Sequence, residues 1–368
     1  MSTVSRPRGA GTPSPRVDFG YATATLRARR LSVRIPVRLL LVSLVLFAVA
    51  VAAATAAITV GDYPLALGEV AAALGGGGEP FQRTIVVEWR LPVAVAVVVF
   101  GALLGIGGAV FQSLTRNPLG SPDVIGFDAG SYTAVVLTIL VLGSSDYWSI
   151  ASAALAGGLG TALAVYLLAY RRGVVGFRLI IVGIGVSAML GSVNAYLITR
   201  AEIDDAMAVG FWGAGSVSRV SWNGLAPSLA IAAAVVLAAA LLAPALRRLE
   251  LGDDAAVTLG TRTGPVRLGL MVTGVATSAL VTAAAGPIGF IALVAPQLAR
   301  RLTRSPGVSL LSSAAMGAVL LAGAHVLSLA VAQVYRPVPV GLITVCLGGL
   351  YLIRLLVGET RGHYTGPR

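Results

Sequence analysis

The sequence predicts an all-α polytopic membrane protein with ten transmembrane helices and both termini on one side of the bilayer. Of its 368 residues, 57% are hydrophobic and only 11% are charged, whereas a soluble domain carries about 25% charged residues. Apolar runs recur along the whole chain, each close to the roughly 20 residues that cross a hydrocarbon core of about 30 Å. These runs fall at 35–60, 90–113, 123–143, 148–170, 178–200, 222–243, 266–284, 288–304, 308–333 and 339–357.

The arginines give the orientation of these spans. All 27 basic residues are arginine, and ten spans place 22 of them on one side of the membrane. The five on the other side are Arg83, Arg90, Arg200, Arg219 and Arg336. By the positive-inside rule, the arginine-rich side and both termini are predicted to be cytoplasmic. Orientation therefore accounts for the net charge of +12 without a nucleic-acid partner.

Little of the chain lies outside the ten-helix domain, which is predicted over 35–357. Residues 1–34 are rich in Arg, Pro and Ser, and we expect them to form a disordered cytoplasmic tail. A cleaved signal peptide is not expected, because the tail is long and the first apolar run is full-length. Residues 358–368 form a second cytoplasmic tail.

Three connections between spans are long enough to interpret. Residues 61–89 contain four consecutive glycines and are predicted to be an outer loop, since helices tolerate glycine poorly. Residues 201–221 are broken by glycine and too short to span, which indicates a half-helix near the outer surface. Residues 244–265 form the longest inner loop, which is polar but has helical stretches. Small residues at helical spacing in the second and fifth spans favour close helix packing within the chain.

The inner loop carries a short motif, Asp254-Ala255-Ala256 followed three residues later by Gly260. Its pattern predicts a short amphipathic helix that stops at a glycine with a left-handed cap. The two alanines leave a surface that a partner can approach closely. The motif resembles the E-A-A-x-x-x-G coupling motif of ABC-importer permeases, with Asp in place of Glu.

Three longer blocks carry a more specific pattern, in the order of the spans. They are RLPVAVAVVVFGALLGIGGAVFQSLTRNPLGSPDVIGFDAGS at Arg90–Ser131, GPIGFIALVAPQLARRL at Gly286–Leu302 and PVPVGLITVCLGG at Pro337–Gly349. With the inner loop, they resemble the FecCD-type permeases, the membrane subunits of importers for iron-siderophores, haem and vitamin B12. The resemblance covers about 35–357. The matching positions in the first block are Arg90, Leu91, Pro92, Gln112, Asn117, Pro118, Leu119, Pro122, Gly126 and Gly130.

The resemblance implies a type II ABC importer-like permease in the bacterial cytoplasmic membrane. Such a chain is not itself an enzyme: it imports a ferric siderophore by alternating access, and a separate ATPase uses ATP and Mg²⁺. The implied partners are a second permease subunit, two copies of the ATPase, an extracytoplasmic substrate-binding protein and membrane lipids. No cofactor is expected on this chain, because without lysine it lacks a phosphate-binding loop.

The resemblance also implies three groups of site residues. The ATPase-coupling group lies in the loop 250–267 and comprises Asp253, Asp254, Ala255, Ala256 and Gly260. The binding-protein docking group comprises Arg90 and Arg336 on the outer side. The pathway, on a pseudo-twofold axis between two permease chains, is expected to be lined by the second, third and fifth spans. Its gate group comprises Gln112, Asn117, Leu119, Val175, Gly176 and Phe177.

The chain departs from the family pattern at positions that concern docking. Val93 stands where the family often has a second arginine, and Gln297 stands where it usually has histidine. The ninth span reads AHVLSL at 324–329 instead of A-D-x-x-A-R. Because two outer arginines are missing, a heterodimer with a paralogous permease is favoured over a homodimer.

Other functions remain open at this stage. The same architecture imports cobalamin or haem, so the cargo is undecided. An ion-coupled secondary transporter is less favoured, because Asp123 and Asp128 are the only acids bordering a span interior. A membrane enzyme is disfavoured by the lack of a catalytic constellation. His325 lies within a span without a carboxylate partner, and Cys346 is the single cysteine, so no metal site is predicted.

Overall fold

The computed structural model describes residues 22–28, 31–123, 126–169 and 176–364, and they are mostly helical. The helices are α1 (Val37–Thr59), α2 (Leu67–Leu74), α3 (Pro80–Arg83), α4 (Leu91–Thr115), α5 (Phe127–Leu140), α6 (Tyr147–Ala169), α7 (Gly176–Arg200), α8 (Ile203–Gly213), α9 (Trp222–Glu250), α10 (Asp253–Thr258), α11 (Thr263–Ala285), α12 (Ile291–Thr303), α13 (Leu310–Val334) and α14 (Val340–Tyr364). A π-helical segment, Thr84–Arg90, joins α3 to α4, and a 3₁₀ turn, Val217–Arg219, precedes α9.

Every predicted span overlaps one of these helices. In the described part of the chain, seven helices are long and apolar enough to cross a membrane. They are α1, the continuous helix Pro80–Thr115, α6, α7, α9, α11 and α13. The remaining predicted spans, 123–143, 288–304 and 339–357, correspond to α5, α12 and α14. Because α5 and α12 have only 14 and 13 residues, each is about 20 Å long. The all-α class is confirmed, and the count of ten crossings stays a prediction.

The predicted outer loop at 61–89 is largely helical, so this expectation was wrong in its extent. The glycine run separates two helices: Gly75 caps α2, and Gly76 and Gly78 take positive φ angles. Pro80 then starts the next helix at a position where its missing N–H costs no hydrogen bond. The helix continues through the π-helical segment into α4, so the second span begins about ten residues before position 90.

The N-terminal segment also differs from the expected disordered tail, as far as it is described. Strands β1 (Thr23–Ala28) and β2 (Leu31–Pro36) pair antiparallel, with Thr23 opposite Pro36 and Ala28 opposite Leu31. Each six-residue strand contains two β-branched residues, which favour extended structure: Thr23 and Thr25 in β1, and Val33 and Ile35 in β2. Residues 1–21 of the expected tail lie outside the described residues.

Helix α4 forms the centre of the bundle. In its most apolar stretch 78% of the residues are buried, against 22% in α1 and 17% in α6. It packs against α13, α11, α12 and α9, and Phe100, Leu103, Leu104 and Phe111 are among its fully buried side chains. The second span was expected to line a pathway between two chains, but its surroundings are the other helices of this chain.

Glycines allow α4 to approach its neighbours at backbone distance. A Cβ added at Gly101 would meet the Gly317 carbonyl of α13, and one at Gly105 would meet the Ser313 carbonyl. A Cβ at Gly108 would meet the Ala292 carbonyl of α12. The small-residue stripe of α4 therefore packs against helices of the same chain, which is the packing that we predicted from the sequence. We name this α4–α13 contact the glycine seam.

Helices α5 to α8 form a second group beside this centre. α5 packs closely on α6, where a Cβ at Gly130 would meet Thr161. α7 packs on α5, and α11 joins the group to the rest of the bundle. α8 is the short helix predicted within 201–221, and its existence is confirmed. In α7, Gly183 and Ser187 lie against Gly126, whereas Gly191 faces open space.

The glycine seam predicts opposite effects for two Gly→Ala changes. Gly105→Ala should lower the stability of the purified protein by about 1–3 kcal/mol, because the added methyl forces α4 and α13 apart. Gly160→Ala in α6 is the matched control: it meets nothing within 4 Å and gains helix propensity of about 1 kcal/mol. Thermal unfolding in detergent measures both. Equal midpoints for the two variants would contradict the seam.

Candidate functional site

The predicted coupling motif forms a capped short helix. α10 begins after Gly252, and Gly260 has a φ of +78°, so the expected left-handed cap is confirmed. The Gly260 N–H donates to the Val257 carbonyl at 2.9 Å, and the Thr261 N–H donates to the Ala256 carbonyl at 2.9 Å. These two bonds make a Schellman motif, which satisfies the last carbonyls of the helix. The cap therefore fixes where α10 ends and how the chain turns into α11.

Asp253 holds α10 against the bundle. Its carboxylate accepts hydrogen bonds from Arg267 Nη2 at 2.7 Å and from Arg116 Nη2 at 2.9 Å. The same Arg116 nitrogen donates to the Leu249 carbonyl at the end of α9 at 3.1 Å. Asp253 was predicted as a coupling residue, and these contacts give it an anchoring role within the chain. The two arginines had no predicted role, since the sequence does not show which arginine meets which acid.

The outward face of α10 is exposed and partly apolar. Asp254 points to solvent, and Leu251, Val257 and Leu259 are 67%, 58% and 54% exposed. Ala255 is half-buried and Ala256 is buried against the bundle. We call Leu251, Asp254, Val257 and Leu259 the α10 surface. It lies at the end of the bundle that carries Arg116, Arg267, Arg300, Arg301 and Arg304, here called the arginine-rich end.

The loop after α4 is compact and carries two predicted gate residues. Arg116 ends α4 in a left-handed conformation, with φ at +50°. The Leu119 N–H donates to Asn117 Oδ1 at 2.9 Å, which closes a turn at Pro118. Leu119 is 39% exposed. We call Asn117–Leu119 the gate loop.

Two glutamines connect this region to α12. Gln297 Nε2 donates to the Pro118 carbonyl at 2.7 Å, and Gln112 Nε2 donates to the Leu293 carbonyl at 2.8 Å. Gln112 is only 6% exposed, so this predicted gate residue bridges two helices. Gln297 was noted in the sequence only as a departure from the family histidine. Both lie beside a cavity of about 760 Å³ at the arginine-rich end.

Beyond the gate loop, residues 120–123 are not helical. Asp123 Oδ2 accepts a hydrogen bond from the Phe290 N–H at 3.0 Å, at the start of α12. Asp128, in the first turn of α5, accepts one from Thr282 Oγ1 at 3.0 Å. The two carboxylates thus lie at the beginnings of two short helices, where the helix dipole favours negative charge.

The remaining predicted gate residues are only partly described. Val175 lies outside the described residues. Gly176 and Phe177 begin α7, but the structure gives no description of the Phe177 side chain. The predicted apolar constriction at 175–177 therefore stays a prediction.

The two predicted docking arginines differ in their surroundings. Arg90 Nη1 donates to the Ile58 carbonyl and Nη2 to the Tyr63 carbonyl, both at 2.7 Å. Its guanidinium is therefore engaged at the end of α1, which leaves less of it for a partner. Arg336 lies in the exposed connection between α13 and α14, next to Tyr335, which is 79% exposed. Of the two, Arg336 is the more exposed, and docking stays a prediction for both.

His325 is buried at 6% exposure in α13. It lines a cavity of about 450 Å³ with Arg90, Tyr63 and Trp89. Within the described residues, no three His, Cys, Asp or Glu side chains come together as a metal site.

Comparison with known proteins finds one matching family model and relatives that are named as iron-transport permeases. Residues 38–358 match the FecCD transport family. The chain is 45% identical over 303 residues to ferric enterobactin transport system permease protein FepG of Escherichia coli, covering 82% of this chain and 91% of that one. It is 34% identical over 292 residues to iron(3+)-hydroxamate import system permease protein FhuG of Bacillus subtilis, covering 77% and 86%.

A solved structure supports the fold. It is an inward-facing conformation of a metal-chelate type ABC transporter, with a TM-score of 0.73 and 23% identity. The match covers 87% of this chain and 99% of that one. At this identity the likeness concerns the fold only.

The contacts of Asp253 predict a difference between two neighbouring aspartates. Asp253→Asn should loosen α10, because it weakens two ion pairs, each worth about 0–1 kcal/mol at such exposed positions. Limited trypsin digestion should then cut faster after the exposed Arg262, by about two- to fivefold. Asp254→Asn, whose carboxylate faces solvent, serves as the control. A similar cleavage rate in both variants would count against the anchoring role.

Proposed function

Because the chain belongs to the FecCD transport family, we propose that it imports a ferric siderophore by alternating access as one of two permease subunits. It is a multi-pass inner-membrane, non-catalytic component of an iron-siderophore ABC importer. The observation that carries the proposal is the 45% identity to a ferric enterobactin permease over 82% of this chain. Permeases named for iron hydroxamate and ferric citrate are further relatives, which favours an iron chelate over cobalamin or haem.

The transport proposal is tested by reconstitution. The importer, with its partner permease and ATPase, is placed in liposomes and given its binding protein. We expect ATP-dependent uptake of radiolabelled ferric catecholate or hydroxamate chelates, and no uptake of cobalamin or haem. Uptake of cobalamin or haem alone would overturn the cargo. Uptake driven by an ion gradient without ATP would favour a secondary transporter.

The α10 surface is proposed as the contact for the ATPase. The positive-inside rule puts the arginine-rich end in the cytoplasm, where an ATPase operates. An exposed apolar patch rimmed by polar groups is typical of a protein–protein contact. Leu251, Val257 and Leu259 supply the apolar part, and Asp254 supplies a charge. Gly260 keeps the cap in place, and Asp253 holds the helix in position. ATP and Mg²⁺ then bind to the partner.

The opposite end is proposed as the docking face for the substrate-binding protein. Arg336 supplies an exposed positive charge there, and its partner would be acidic. The engaged Arg90 supports the fold of this face more than the contact.

The second permease is proposed to pack beside α7 and complete the pathway. α7 carries exposed apolar side chains along its length, including Ile181, Ile184, Met189 and Tyr196. Such a surface faces either lipid or another chain. A paralogous partner remains favoured over a second copy, since the outer face lacks two of the family's arginines. Leu119 and the 175–177 segment would form the cytoplasmic gate.

The α10 surface gives a charge-reversal prediction. Asp254→Arg should reduce co-purification of the ATPase at least tenfold and abolish uptake, since an unmatched charge in a packed interface costs several kcal/mol. Gly260→Glu should act in the same way, because only glycine adopts a φ of +78° without strain. Asp204→Arg, the same charge change at the start of α8, should leave both ATPase co-purification and uptake unchanged. Normal uptake by Asp254→Arg would exclude this contact.

The docking face gives a kinetic prediction. Arg336→Glu should slow association of the binding protein about tenfold at low salt, because rim charges act mainly on association rate. The effect should shrink toward 0.5 M salt as the charges are screened. Arg354→Glu, an equal change near the arginine-rich end, is the control. Surface plasmon resonance on the reconstituted importer measures both, and a salt-independent or absent effect would refute the assignment.

A further inference from the structure

The gate loop is held to α12 by a side chain that no prediction included. Gln297 is 9% exposed, and its amide donates to the Pro118 carbonyl at the apex of the loop at 2.7 Å. We propose that Gln297 is a positioning residue that latches the gate loop closed and makes its position depend on α14. This inference rests on the proposed function, because it assigns a role in gating to the loop.

The other end of the Gln297 amide connects α12 to α14. Tyr351 of α14 donates its hydroxyl hydrogen to Gln297 Oε1 at 3.3 Å. Because the Pro118 carbonyl can only accept a hydrogen bond, the amide nitrogen faces Pro118 and the amide oxygen faces Tyr351. The Arg301 guanidinium lies over the Tyr351 ring at 5.8 Å, a distance at which cation–π attraction holds the ring. The Pro118 carbonyl, Gln297 and Tyr351 therefore form one hydrogen-bonded series across α12.

The loop has space into which it can move. The cavity of about 760 Å³ at the arginine-rich end is lined by Asn117, Pro118 and Gln297, together with 304–308. The bond between Asn117 and Leu119 keeps the gate loop compact. A loop that adjoins open space is expected to open locally more often when an anchoring bond is lost.

Two hydrogen bonds attach the gate loop and the residues just after it to α12. Asp123, a few residues beyond the gate loop, accepts the Phe290 N–H at the start of α12, and Gln297 holds Pro118 about two turns further along the same helix. α14 contacts α12 at matching points, because Gly348 lies against Phe290 and Tyr351 bonds Gln297. A displacement of α14 against α12 therefore breaks the latch at Tyr351, and a displacement of α12 moves the loop with it.

Hydrogen exchange of the complete importer tests the latch without reference to cargo. In Gln297→Leu, which keeps volume but removes both polar groups, the amides of 116–120 should exchange about fivefold faster, the effect of one lost hydrogen bond. Tyr351→Phe should give about a twofold increase, since its bond is longer. Ser328→Ala is the matched control: it removes a 2.6 Å side-chain bond to the Val338 carbonyl at the opposite end.

Rescue and leakage complete the experiment. Gln297→His restores a donor at this position and should return the exchange to within twofold of the wild-type rate. In liposomes, Gln297→Leu should raise ATP-independent efflux of preloaded ferric chelate about fivefold, and Gln297→His should suppress it. Unchanged exchange at 116–120 in Gln297→Leu overturns the latch, whatever the cargo. Faster exchange with normal efflux also overturns it, because the loop then does not gate. A wild-type importer that moves no ferric chelate would instead refute the proposed function, while the exchange data still decide whether the loop is held.

Discussion

The constraint on which the structure depends is that lipid offers no hydrogen bonds to the backbone. Every segment at membrane depth must satisfy its own N–H and C=O groups, which helices do internally. Unwound backbone is tolerated only where other parts of the protein surround it. Residues 120–123 and the turn before α12 meet this condition together, because Asp123 in the first accepts the Phe290 N–H in the second. This bond gives the N–H at the start of α12 a partner within the protein.

Contacts between distant segments, such as Asp123 with Phe290, also explain which features could be predicted from the sequence and which could not. Hydropathy located a helix at every predicted span, and the spacing of Asp254 to Gly260 predicted a capped helix that is present. Hydropathy does not fix where a helix begins: the span was expected from 123, and α5 begins at Phe127. The glycine run predicted a long outer loop, whereas in the structure it separates two helices, α2 and α3. Local composition reports tendencies, whereas these boundaries are set by contacts with distant parts of the chain.

In the candidate site too, local patterns could be read from the sequence, whereas contacts between distant residues could not. The residue types at the coupling motif were recognisable, but the roles of Asp253 and Arg90 depend on partners far away in sequence. Arg116 lies 137 positions before Asp253, and nothing in either segment indicates the pairing. Gln297 appeared only as an unusual residue after Pro296, because its importance comes from the Pro118 carbonyl. Leu119 and Arg336 are exposed, and their gate and docking roles stay predictions.

The glycine seam limits how the protein can change shape. With backbones in contact at Gly101, Gly105 and Gly317, α4 and α13 interlock and resist sliding or rotation against each other. Closely packed surfaces of this kind move as rigid bodies. Helices α5 to α8 contact the rest of the bundle mainly through α11. Sliding between these two groups of helices is therefore expected at α11. We therefore expect substitutions along α11 to affect the relative motion of the two helix groups, and substitutions in the glycine seam to affect stability.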